Sequence, residues 1–387
     1  MHILFTLHSV YDKDSGACGS DLRLVNSLID AGVKVTFICY NDVFKNNRLA
    51  HSKWAYPLYP FGVRNFFLKN RSKPFDVVES AAGNFWFSAK TLQAFPSCHS
   101  VPLVVRSHGI EHVYNLIDKK KIFPLENRRT SWKYYLFNGG FRLWAVKQDL
   151  LRANKVILLN SMEKKFAVRY LNIDEGKIDI MPHGLKEKII EYSHVPILMD
   201  NDLKMYKILF LGQWIYRKGI HFLVQVISRL FTINPRFTLT IAGTGDKIPI
   251  VEILSMFIEK DRNRIQVIPK YDNDHMLSLF SGHGILFFPS LAESFGLVLL
   301  EAMGAGLVVV TTRVGLVTDW IKNGKNAFII SSNNITECLE ILEFIPNNPD
   351  FLVEIRKNAQ ETVKNFTMKK VVDHRLGVYE ALLLRSK

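Results

Sequence analysis

Two glutamates eight residues apart, Glu293 and Glu301, bracket the stretch of this chain best suited to hold a charged, hydroxyl-rich ligand. Ahead of them the apolar run 285–288 ends at Pro289-Ser290 and reads as a buried parallel strand opening into a loop. Apolar residues from Phe295 to Met303, closed by Gly304 and Gly306, then read as a buried helix. One carboxylate is therefore expected at a strand mouth just before a helix start. The second lies a little over two turns further on, on about the same side. The N–H groups of Phe295, Gly296 and Leu297 are expected to point out of that helix start, where the helix dipole favours an anion such as phosphate. Gly296 lets a ligand come close to the backbone. Glu293 and Glu301 would repel bare phosphates, so they must face hydroxyl donors such as a sugar and a ribose. A diphosphate flanked by two polyols is a nucleotide-sugar. Glu301 stands between Leu300 and Ala302 in an otherwise apolar helix, and a buried carboxylate is costly without a partner.

Further residues of the right chemistry fall at comparable places. The strand expected at 207–211 runs into Gly212, and Arg217-Lys218-Gly219 precedes a helix from Ile220 to Phe231. Two cations at a strand-to-helix turn suit a diphosphate, with Lys218 acting as a point charge. Pro102 to Arg106 reads as a strand leading to His108 and Gly109, and the carboxyl end of a parallel strand is where ligands bind in such sheets. Near the start, Asp14 to Ser20 reads as a loop that places Gly16 and Gly19 before a helix from Asp21 to Ala31. That loop is not the full dinucleotide fingerprint.

The elements that must carry these groups alternate strand and helix through both halves. Apolar runs at 3–7, 33–39, 102–106, 155–159 and 178–184 read as strands of one parallel sheet. Runs at 207–211, 237–241, 265–268, 285–288, 308–311 and 324–330 read as a second sheet, with 350–387 mostly helical. With 387 residues and 48% apolar content, two doubly wound α/β domains are expected. The boundaries read as 1–188, a linker at 189–203 rich in mixed charge with Pro196, 204–367, and a final helix at 368–387.

Four widely spaced cysteines, Cys18, Cys39, Cys98 and Cys338, form no metal-like spacing and suit a reducing compartment. A strand beginning at the first residues leaves no room for a signal peptide, and no apolar run approaches the ~18 residues of a membrane span. The formal charge of +14 suits phosphate-bearing ligands, nucleic acid or an anionic membrane surface. Aromatic residues alternate with cations in two stretches. One runs from Trp54 to Phe75 with Arg64, Lys69, Arg71 and Lys73. The other runs from Val113 to Arg152 with Lys119, Lys120, Lys121, Arg128, Arg129, Trp132 and Lys133. Such stretches serve single-stranded nucleic acid, a bilayer surface, or simply a half-buried helix face.

Taken together, Glu293-x7-Glu301 and Gly212-x5-Lys218-Gly219 at this separation resemble the retaining glycosyltransferases of family 4, in the glycosyl transferases group 1. Gly19 with Asp21 and Arg23 is similar to that family's glycine loop, and Arg106-Ser-His108-Gly109 with Glu111 to its His-Gly element. The resemblance implies the GT-B fold, two Rossmann-like domains facing across a cleft with the last helix crossing back to the first. It implies hexosyl or related transfer from a UDP- or GDP-sugar to an acceptor hydroxyl with retention. Glu301 would hold the ribose and Glu293 the transferred sugar. Lys218 would neutralise the diphosphate, Gly19 would offer it a backbone contact, and His108 would face the sugar and acceptor. Gly212, Gln213 and Arg217 would border the diphosphate, and Ile268, Lys270 and Tyr271 the base. No metal or other cofactor is expected. The implied partners are the nucleotide-sugar and a carbohydrate or lipid-linked acceptor of the cell envelope, with an anionic membrane surface as a further candidate and no nucleic acid. A cytoplasmic site on the inner membrane face would follow.

Departures from the family pattern are Gln213 where arginine is usual, so that Arg217 would have to supply that charge. Leu307 stands where proline is common, and Cys18 and Leu316 where glycines are. A nucleotide-sugar epimerase of the same fold, or a non-catalytic nucleotide-sugar-binding or scaffold subunit, shares these features.

Overall fold

The computed structural model describes residues 1–7, 9–11, 16–44, 47–52, 54–70, 75–87, 101–122, 132–195, 202–272 and 275–386. The chain divides into two compact units, 1–184 with 368–387, and 185–367.

In the first unit six parallel strands form one sheet: β1 (His2–Thr6), β2 (Lys34–Ile38), β3 (Val77–Ala81), β4 (Leu103–Arg106), β5 (Lys155–Leu158) and β6 (Ile178–Ile180), in the order β2-β1-β3-β4-β5-β6. Strand side chains alternate between faces. Ile3 and Phe5 therefore pack beneath helix α1 (Gly16–Asp30) and the C-terminal helix Met368–Ser386, against Leu24, Leu28, Val371 and Tyr379. Leu4 points the other way, into a layer built on α2 (Ala55–Lys69), α3 (Arg142–Arg152) and α4 (Ser161–Leu171). Tyr59, Val63 and Phe67 recur every fourth residue of α2 and are all buried. Much of the first aromatic and basic stretch is thus a core helix, with Leu58 and Phe61 on its open side. Arg71, Lys73, Arg128 and Arg129 lie outside the described residues, as does Cys98.

Helix α1 begins at Gly16, five residues before the expected start at Asp21. The Ser20 hydroxyl donates to the Gly16 carbonyl one turn back at 2.7 Å, closing a helical turn where a loop was expected. Gly19 accordingly sits in the first turn of a helix.

The second unit has strands β7 (Lys207–Leu211), β8 (Thr238–Ala242), β9 (Ile265–Ile268), β10 (Ile285–Phe288), β11 (Val308–Thr312) and β12 (Phe328–Ile330), all parallel, in the order β12-β11-β10-β7-β8-β9. Chain progression reverses between β7 and β10, which makes their carboxyl ends the topological switch point. Its helices include α5 (Glu187–Tyr192), α6 (Ile220–Ile233), α7 (Leu297–Gly304) and α8 (Pro349–Val363). Leu223, Val226, Ile227 and Leu230 seat α6 on the sheet.

Helix α7 is buried over most of its circumference. Gly304 is what lets its neighbours in, since a Cβ there would stand 2.7 Å from Ile189 Cγ2 and 3.4 Å from Val363 Cγ1. That contact explains why 187–192, at the start of the expected linker, is a helix belonging to this unit. One apolar side chain in a charged stretch, Ile189, finds a glycine-shaped recess. Residues 196–201 lie outside the described residues.

Candidate functional site

At the switch point of the second unit, Lys218 Nζ donates to Glu293 Oε2 at 2.5 Å. The ammonium also lies 4.9 Å from the centre of the Phe288 ring, at the end of β10. Both side chains are about four-fifths covered, with 17% and 19% exposed.

Glycines set this geometry. Gly219 adopts φ +75°, and a Cβ on it would fall 1.9 Å from the Pro289 carbonyl oxygen, so the turn after β7 lies directly against the end of β10. The Leu291 N–H donates to the Arg217 carbonyl at 2.8 Å and fastens the two loops again. Gly212, at φ +150°, leaves room for the Lys218 stem within 4 Å of its absent Cβ.

Helix α7 begins at Leu297, not at Phe295 as expected, because its N-cap Gly296 is left-handed at φ +86°. The Glu293 stem passes 3.4 Å from the Cβ position of Gly296, which lays the carboxylate stem over the helix start. The amides available to an anion are therefore those around Gly296 and Leu297. Phe295 serves as a buttress, with its ring buried 6.0 Å from that of Phe366 and its carbonyl accepting the Leu316 N–H at 3.0 Å.

Glu301, one turn inside α7, is buried at 8% exposure. Burial and then the charge of Glu301 push the Tyr271 hydroxyl up to about 12, so Tyr271 stays a neutral donor near that carboxylate. Tyr271 packs over Gly243, whose N–H donates to the Ile268 carbonyl at 2.9 Å. Lys270 is exposed and paired with Asp246, and Gln213 is exposed. The structure thus gathers Gly212, Lys218, Glu293, Gly296 and Leu297 at one point. Ile268, Tyr271 and Glu301 sit on the adjoining side.

The first unit carries a second cluster. Arg106, at the end of β4, holds Asp21 of α1 through Nε at 3.0 Å and Nη2 at 2.7 Å. Its Nη2 also donates to the Thr6 carbonyl at 2.8 Å, and its guanidinium lies 3.8 Å from the Phe5 ring centre. His108 Nε2 is 2.9 Å from Asp21 Oδ2, and its ring stacks on His183 with centroids 5.4 Å apart. Beneath, Glu79 in β3 accepts from Arg375 at 3.0 Å and from the Tyr379 hydroxyl, both on the C-terminal helix.

Sequence reasoning named Gly19, Asp21, Arg106 and His108, but missed Glu79, His183, Arg375 and Tyr379 as members of one cluster. A glutamate inside the apolar run of β3 was the available signal, because a buried carboxylate requires partners. Asp149 was missed as well. It is fully buried on α3 and accepts the N–H groups of Gly83 and Phe85 at 2.7 and 2.9 Å. Burial nevertheless pushes its carboxyl up to about 7. Among the described residues no group of three or more His, Cys, Asp or Glu side chains is placed to hold a metal ion.

Two parallel six-stranded sheets of this kind recur in solved structures. Sucrose-phosphate synthase from Thermosynechococcus elongatus superposes with a TM-score of 0.74 over 99% of both chains, at 17% identity. HepE of Anabaena, in complex with UDP, gives 0.69 over 98% of this chain and 100% of its own, at 16% identity. The fold is GT-B.

Residues 200–362, most of the second unit, match the family model of the glycosyl transferases group 1. An uncharacterized glycosyltransferase of Methanocaldococcus jannaschii is 24% identical over 304 residues, which are 73% of this chain and 84% of that protein. The second unit is thus similar to the group 1 glycosyl transferases over most of its length, and the chain is a glycosyltransferase.

Proposed function

We propose that the chain moves a hexosyl or related unit from a UDP- or GDP-sugar to an acceptor hydroxyl with retention of configuration. The observation that carries this reading is the meeting of Lys218 and Glu293 over the start of α7, at the switch point of the second unit. In transfer, the bond from the anomeric carbon to the diphosphate breaks, and its electron pair stays on the departing oxygen. The acceptor oxygen bonds to the same carbon on the same face, and its proton passes to a donor phosphate oxygen. Lys218 and the helix-start amides meet the charge that grows on the diphosphate. Glu293 turns to the sugar and Glu301 to the ribose, and Ile268, Lys270 and Tyr271 border the base. Because a cation and a helix start handle the charge, this chemistry calls for no metal. UDP bound to a protein of the same fold supports the choice of donor class.

Replacing Glu301 by alanine is expected to weaken donor binding by about 10-fold, the scale of one charge-assisted hydrogen bond. A transfer assay with titration of UDP and GDP reads this out, and activity like the wild type would overturn the assignment.

The acceptor side is read as the first unit, with His108 toward the sugar and a lipid-linked or envelope carbohydrate as acceptor. An anionic bilayer beneath that unit is supported by a surface of exposed rings and cations. Trp54, Trp132 and Leu136 are exposed there. Lys133 lies over Trp132, Lys119 over Tyr135 and Arg64 over Phe87. Rings of this kind favour the headgroup level, and the cations add attraction to anionic lipid. Among the described residues no helix is long and apolar enough to cross a membrane, so attachment would be to the surface. Sedimentation with phosphatidylglycerol vesicles should show binding at low salt that weakens at high salt. Absence of binding to such vesicles would refute the membrane placement.

A further inference from the structure

We propose that Asp21 is a positioning residue that keeps the proton of His108 on Nε2, and that the C-terminal helix anchors Asp21 through Glu79 and Arg106. This rests on the placement of His108 toward the sugar. The carboxylate of Asp21 is almost fully buried and held by two arms of one guanidinium. Burial alone would raise its pKa. The charge of Arg106, with the hydrogen bonds from Arg106 and His108, outweighs that and holds it well below the usual carboxylate range. An ionised carboxylate only accepts hydrogen bonds, so the His108 Nε2 at 2.9 Å must be the donor.

The other ring nitrogen points to the same tautomer. His108 Nδ1 is buried and has no hydrogen-bond partner among the described residues. A proton placed there would be a buried N–H without an acceptor, whereas a bare lone pair is tolerated more easily. The stacked His183 adds no charge, since burial and then His108 push it down to about 3.

Asp21 is itself held from behind. Arg106 cannot swing away, because Thr6, the Phe5 ring and Glu79, 3.6 Å from Nη1, surround it. Glu79 is in turn fixed by Arg375 and Tyr379 of the C-terminal helix, close to 300 residues further along the chain. Behind the neutral His108 ring, a chain of alternating charges runs Asp21, Arg106, Glu79, Arg375. Fixing the tautomer decides which ring atom can donate to a sugar oxygen and which can accept from one.

Nitrogen-15 NMR of the full-length, histidine-labelled protein tests this, with the His108 signal assigned by its loss in His108→Gln. In the wild type at pH 8 the proton is expected on Nε2, and a proton on Nδ1 overturns the proposal without recourse to any further variant. In Asp21→Ala, which removes the acceptor, the ring should populate both tautomers, with kcat lower by about 10-fold and donor KM within about twofold. A ring still wholly protonated on Nε2 in folded Asp21→Ala also overturns it. Full transfer by His108→Gln would instead sink the sugar-side role of His108, while the NMR result would still decide what Asp21 does.

Discussion

Replacing Lys218 by alanine should lower kcat/KM for transfer on the order of 10–100-fold, the equivalent of a charged hydrogen bond worth roughly 1.5–3 kcal/mol. Lys218 is the cation that the fold brings to the Glu293 carboxylate at the end of β10, and its stem runs past Gly212 so that the ammonium lies over the Phe288 ring. Its loss removes the counter-charge for the departing diphosphate and leaves Glu293 half-buried without that partner. The second effect makes the two positions interdependent. The double replacement Lys218→Ala with Glu293→Gln should therefore cost less than the sum of the single ones. A rate for Lys218→Ala equal to that of the wild type would remove the lysine from the reaction. Stability is expected to change by roughly 1–3 kcal/mol, because the pair is about four-fifths covered and its loss leaves a carboxylate without that partner. Melting and kinetics measured on the same sample would separate the two effects.

The largest expected effect on stability belongs to the neighbouring position. In Gly219→Ala the new methyl would be built 1.9 Å from the Pro289 carbonyl oxygen and 2.8 Å from its carbon. Both are backbone atoms at the end of β10, so no side chain can move aside. The residue would also have to hold φ +75°, which L side chains adopt at a cost. Strain and overpacking together predict a loss of roughly 2–5 kcal/mol, or a Tm lower by roughly 5–15 °C for a unit of this size. Gly245→Ala separates the two causes. That residue has nearly the same φ, +76°, with nothing within 4 Å of a built Cβ, so strain alone predicts a loss of about 1–2 kcal/mol. Equal melting of the two variants would show that the contact between the β7 turn and β10 is not tight. A larger loss for Gly219→Ala, accompanied by slow transfer, would tie the position of Lys218 to that contact.

These two positions also show how far the chain could be read without its fold. The alternation of apolar runs with turn glycines places β7 to β12 within a residue or two for most strands, because all but the edge strand β9 are largely buried on both faces and read as apolar blocks. Glu293-x7-Glu301 and Gly212-x5-Lys218-Gly219 are local spacings, and they mark the carboxyl ends of β10 and β7 correctly. Helix starts were harder to read. Whether Gly296 continues α7 or caps it depends on one backbone angle, and glycine permits both. The early start of α1 depends on Ser20 reaching back to Gly16, a bond that serine forms in helices and turns alike.

By itself, then, the sequence determined two doubly wound α/β halves, a cation turn and a carboxylate turn in the second half, and a histidine at a strand end in the first. The tertiary structure alone decided which of these groups meet. Lys218 and Glu293 are 75 residues apart, Arg106 and Asp21 are 85, and Arg375 and Glu79 are 296. The first encounter depends on strand order, which places β10 beside β7, and the other two on α1 and the C-terminal helix covering one face of the first sheet. Strand order lets the inner strands be covered on both faces and leaves the partly covered β2, β6 and β9 at sheet edges. It is a property of the whole packed layer, and no local spacing in the chain encodes it.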